Sequence, residues 1–168
     1  MRPLPVLLGC LFIAAPVLAA EPVPEIRRDA GTAQAVGIAH TLRQIPEACA
    51  RLEGMFTGQA AEAYRFAAVR TSPNCQPRAR FVDAAEADPS QATGWIFNDM
   101  IRVANAACPS QRAVVRVWRK PVAQPVKLDG QGQSRIYLEE SRKAVAAGRI
   151  AAIPMFTATS ALEGAACN

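Results

Sequence analysis

His40 is the only histidine in the chain, which sharply limits the metal and nucleophile chemistry open to it. A zinc site with two or more histidines cannot be assembled within one copy. A Cys/His nucleophile pair would need a free thiol brought beside His40 in space, and an ordinary surface histidine is the simpler reading. No Ser-x-x-Lys, no Gly-x-Ser-x-Gly and no glycine-rich phosphate loop occurs in the sequence. Those absences argue against the commonest serine and nucleotide-dependent chemistries. The sequence implies neither a cofactor nor a metal.

Carboxylates offer a little more. Asp83, Glu86 and Asp88 cluster and could bind calcium or supply an acid/base pair. The plainer reading is a solvated loop, with Asp88 before Pro89 favouring a turn. Glu139 and Glu140 are adjacent on an expected helix and diverge, so they make a poor catalytic pair.

A basic stripe is the most suggestive feature. Arg102, Arg112, Arg116, Arg119, Lys120 and Lys127 lie between residues 102 and 128 without one acid. On an extended strand Arg116 and Lys120 flank Trp118 on one face. Cations beside an indole suit an anionic glycan, a phosphate-bearing lipid headgroup or an acidic protein. The same arrangement suits single-stranded nucleic acid, but the export argued below removes that partner. The competing reading is the wet face of an antiparallel strand, with arginine stems covering the ring.

These residues sit on the clearest strand pattern in the chain. In residues 113–120 Ala113, Val115 and Val117 form one apolar face, with Val114, Arg116, Trp118 and Lys120 on the other. β-Branched and aromatic side chains favour a strand, and Pro121 ends it. Residues 105–110 are a turn cluster, and Ile101-Arg102-Val103 can pair back across it. The polar pair Asn98-Asp99 interrupts that pairing. A helix over 95–107 is the rival, because Ile96, Met100, Val103 and Ala107 share a helical face.

Residues 1–20 read as a cleaved export signal, with Arg2 before an apolar run and small residues before Glu21. The run is short for a membrane anchor, so the mature form has no transmembrane segment. A lipidated Cys10, after Leu7-Leu8-Gly9, is the alternative. Residues 21–168 are then one exported domain. Its formal charge is basic, and arginine greatly outnumbers lysine, as in chains from GC-rich bacterial genomes. The mature chain keeps Cys49, Cys75, Cys108 and Cys167, an even number that reads as two disulfides with three connectivities open. If the turns around Cys75 and Cys108 cap neighbouring hairpins of one sheet, Cys75–Cys108 with Cys49–Cys167 is favoured.

The remaining elements follow from local signals. Residues 21–29 form a proline-broken, charged entry segment, extended and mobile. Leu42, Ile45, Cys49 and Leu52 have helical spacing, which predicts a short helix from Pro46 to Gly54. Residues 63–70 and 78–83 read as a second hairpin, with Tyr64, Phe66 and Ala68 on one face. Ser134 fits the N-cap of a helix over 136–147 that Gly148 stops, with Glu139 paired to Lys143. Residues 149–155 form a last strand before a tail pinned by Cys167. The expected fold is α+β and strand-rich: antiparallel hairpins in one small sheet or sandwich, a C-terminal helix, and disulfides. Such a chain reads as a periplasmic or secreted bacterial protein that binds rather than catalyses. Its expected partner is an anionic envelope component or an acidic protein, through Arg116, Trp118 and Lys120. Inhibition of a hydrolase such as a lysozyme or protease is the alternative, followed by a small hydrolase using the Asp83 cluster.

Overall fold

The computed structural model describes residues 21–122, 143, 146–147 and 153–167. The expected signal at 1–20 (with Cys10), most of the loop at 121–132 with Lys127, and all but residues 143, 146 and 147 of the helix expected at 136–147 lie outside them. Among the described residues the architecture is strand-rich, with two sheets, three single 3-10 turns and one short helix, Ala84–Ala87.

The first sheet has the order β1 (His40–Ile45), β2 (Ala50–Phe56), β3 (Tyr64–Arg70), antiparallel throughout. Here the structure corrects the helix expected over 46–54. Pro46 opens only a 3-10 turn, Pro46–Ala48, which Cys49 ends in the left-handed conformation at φ 51°. The chain then reverses into β2. The helical spacing was a coincidence of two strands joined by a tight turn. A register shift between Thr41 and Arg43 leaves Leu42 as an extra residue, so Leu42 and Ile45 both face inward despite their odd separation.

The second sheet has the order β4 (Arg80–Phe81), β7 (Met155–Glu163), β6 (Cys108–Lys120), β5 (Ile96–Asn105). β5 and β6 form the expected hairpin, turning at Ala106-Ala107, and the rival helix is absent from 95–107. The second expected hairpin is not formed. β3 pairs with β2 instead, and β4 crosses to the other sheet, where it pairs parallel with β7. A late strand does form, but it begins at Met155, the residue at which the sequence reading ends its last strand. β7 runs antiparallel to β6 along Arg112–Lys120.

The two sheets share one core. Leu42, Ile45, Leu52 and Phe56 from the first meet Ile101, Val103, Ala113, Val115, Val117, Phe156 and Ala158 from the second. Full burial of each larger aliphatic or aromatic side chain contributes about 1.5–3 kcal/mol. The apolar face predicted for β6 is therefore the core face. The opposite face is not wet either: Val114 packs there with Phe97, Met100 and the half-buried Trp118. Further along the same face of β6, Arg116, Trp118 and Lys120 are only half-buried.

Both disulfides form, with Cys49 bonded to Cys75 and Cys108 to Cys167. This overturns the favoured connectivity. That pairing assumed the two cysteine-bearing turns cap the same sheet, whereas β3 and β6 belong to different sheets. The Thr71 amide donates to the Cys49 carbonyl at 2.9 Å, which folds the 71–77 loop back onto the start of β2. Likewise β7 ends beside the β5–β6 turn, so Cys167 reaches Cys108.

Candidate basic-aromatic face on strand β6

Arg116, Trp118 and Lys120 lie in a row on one face of β6, all half-buried. The Arg116 guanidinium donates to the Glu21 carboxylate at 2.9 and 2.8 Å, with Glu163 further off at 3.7 Å. The Trp118 ring lies 4.9 Å from that of Phe97, tilted by 32°. Lys120 Nζ sits 5.8 Å above the Trp95 ring, within range of a cation–π contact. Arg102 and Arg112 are exposed, and Arg119, one position out of phase on the other face, is bonded to Glu25.

Glu21 and Glu25 come from the entry segment, which is extended as expected but docked rather than loose. Its amides at Glu25, Ile26, Gly31 and Gln34 donate to the carbonyls of Phe97, Asn98, Arg102 and Ala104 along the outer edge of β5. The segment thus covers an edge that would otherwise present unpaired groups. The stripe that carries no acid within its own stretch of sequence is partly neutralised by acids from far earlier in the chain.

The same segment builds a buried charge network. Asp99, fully buried, accepts from Arg28 Nε at 3.1 and 2.9 Å and lies 3.4 Å from Arg43. Asn98 accepts from Arg43 and donates to Glu25 at 2.7 Å. A bulge between Phe97 and Asp99 turns both polar residues toward these partners. The Arg119 hydrogen bond holds the Glu25 carboxyl down to about 2. Desolvation lowers the Arg43 guanidinium from its ordinary value, with Asp99 pulling the other way. The polar pair that interrupts the strand pattern is therefore the anchor point for residues 25–28 and for β1.

His40 is half-buried at the start of β1, with Nε2 3.0 Å from the Tyr64 hydroxyl. Its Nδ1 is buried without a well-formed hydrogen bond. Burial pushes the imidazole below its usual range, partly offset by the Ile38 backbone. Burial also raises the Tyr64 phenol well above its ordinary value. All four cysteines of the described region are in disulfides, so the thiol that a Cys/His pair would need is not there.

The carboxylates at 83–88 serve a local structure. Asp83 Oδ1 accepts from the Ala85 amide at 2.8 Å as the N-cap of α1 (Ala84–Ala87). Asp88, left-handed at φ 41°, ends the same turn, and Glu86 is exposed within it. Among the described residues no three His, Cys, Asp or Glu side chains group as a metal site. None of the described helices is long and apolar enough to cross a membrane. No protein-family model, no curated protein and no solved structure matches this chain.

Proposed function

We propose that this is an exported protein of the bacterial envelope or exterior, periplasmic or secreted, that works by binding rather than by turnover. Arg116, Trp118 and Lys120 form its contact face for an anionic envelope component or an acidic protein. The observation that carries this reading is Arg116: its guanidinium already grips a carboxylate beside a half-buried indole. Trp118 and Lys120 are braced by Phe97 and Trp95, so the row is held in place before any ligand arrives. Preorganised side chains lose less freedom on binding. Two formed disulfides suit an oxidising compartment, which supports export.

Replacing Arg116 and Lys120 together with glutamate tests the face. The double variant should lose salt-sensitive binding to envelope material while keeping its fold. Unchanged binding by a folded variant removes this face from consideration.

A further inference from the structure

The entry segment holds the basic strand in a way that suggests what else could be held there. Glu21 meets Arg116 on one face of β6, and Glu25 meets Arg119 on the other. Arg116 and Arg119 are an odd number of residues apart and point to opposite faces. Residues 21–25 therefore straddle the edge of the sheet, with a carboxylate on each side. Beyond Glu25 the chain runs parallel to β5, bridging Ile26 to Asp99 and Gln34 to Asn105.

This is the geometry of strand addition, in which main-chain bonds give affinity and side chains give specificity. As an added strand it is incomplete. Its amides bond β5 at Glu25 and Ile26, and then not again until Gly31. Pro22 and Pro24 have no amide hydrogen to donate, and Val23 between them is 64 % exposed. The ion pairs at its tip are solvent-accessible, hence individually weak and screened by salt.

We propose that residues 21–26, the tip that precedes the Arg28–Asp99 anchor, are a built-in pseudo-ligand, and that the β5 edge at Phe97 and Asn98 with Arg116 and Arg119 is a docking groove for a partner protein's extended acidic peptide. The partner segment carries two carboxylates four residues apart, matching Glu21 and Glu25, and a continuous run of donating amides in place of the prolines. It rests on the binding reading above and specifies the partner for the same strand. The tethered segment competes at an effective concentration of about millimolar, so the resting chain is self-occluded.

The test uses the intact chain from Glu21 and a fluorescent peptide with the sequence of residues 21–26, titrated in trans. Weakening the tethered copy with Glu21→Gln and Glu25→Gln should tighten peptide binding at least ~10-fold over the wild type. Adding Arg116→Glu and Arg119→Glu should abolish it. Because Glu25 also bonds Asn98, the Glu21→Gln single variant, which leaves that network intact, must show the same direction. Circular dichroism and melting confirm that each variant is folded. Equal affinity of the wild-type and weakened chains overturns the proposal, as does binding that survives loss of both arginines. Concentration-dependent dimerisation of the weakened chain also overturns it, since the groove would then serve a second copy. Failure here is separable from failure of the contact face. If the peptide never binds but Arg116→Glu with Lys120→Glu still abolishes envelope binding, only the pseudo-ligand falls. If the peptide binds and that variant still binds envelope material, only the envelope contact falls.

Discussion

Asp99 shows how much a single side chain can depend on residues distant in sequence. Its carboxylate is fully buried between Arg28 and Arg43, one from the entry segment and one from β1. Asp99→Asn would leave two guanidinium groups facing a neutral amide, and breaking a buried pair costs about 3–5 kcal/mol. Urea denaturation should show a loss of that size, far above what an exposed substitution such as Asp83→Asn produces at the start of α1. His40 gives a pH signature. Its folded value is depressed by burial, so the folded state binds the proton less readily than the unfolded chain. Its contribution is complete above the ordinary value of 6.5 and is lost as the pH falls from there through the lower folded value. His40→Gln should flatten that part of a melting-temperature profile. Glu25, also depressed, acts in a separate and more acidic window: its contribution is complete above 4.5 and is lost toward about 2. The alternation that places Arg116, Trp118 and Lys120 together was legible because side-chain direction in a strand depends only on local parity. The ion pairs were not, because Glu21 and Glu25 lie some ninety positions earlier in the chain.

At the scale of elements, the β5–β6 hairpin was readable and the β1–β2 hairpin was not. Strand β6 is long, β-branched and regular, so its period of two stands out. In β1 the bulge at Leu42 breaks that period, and the resulting spacing mimics a helix. Gly54 offers a test of the corrected arrangement. It lies opposite His40 in the β1–β2 ladder, and an added Cβ would fall 1.8 Å from the Tyr64 hydroxyl and 2.6 Å from its ring. Had Gly54 ended a helix, Gly54→Ala would cost about 1 kcal/mol at most and leave the Tyr64 ring undisturbed. In this sheet it must displace the half-buried Tyr64 and its bond to His40, at a cost of about 1–3 kcal/mol. A melting curve with nuclear magnetic resonance of the Tyr64 ring would read both effects. The crossing of β4 to the second sheet had no sequence signal, because a two-residue strand is too short to show a period.

The described residues form two sheets closed on a shared core and stapled once in each. Cys49–Cys75 ties the loop after β3 to the first sheet, and Cys108–Cys167 ties the chain end to the second. In the chain-entropy picture each contributes about 3–4 kcal/mol. Removing the pair Cys108→Ser and Cys167→Ser should lower the melting temperature while leaving the 49–75 bridge intact by peptide mapping. Removing Cys75 and Cys108 should instead break both bridges and cost more. That cysteines pair, and that the domain is strand-rich, was evident from their number and from the strand patterns. Which cysteines pair depends on which strands share a sheet, a long-range fact that spacing alone does not encode. The same scaffold holds the basic-aromatic row in place, so a single comparison bears on its role most directly. Wild-type protein and the Arg116→Glu, Lys120→Glu variant would be incubated with envelope material from the native host, at low and at high salt. Binding by the wild type that falls with salt, and that the folded variant lacks at either salt, is the predicted result. Equal binding by both chains would contradict a contact face on β6.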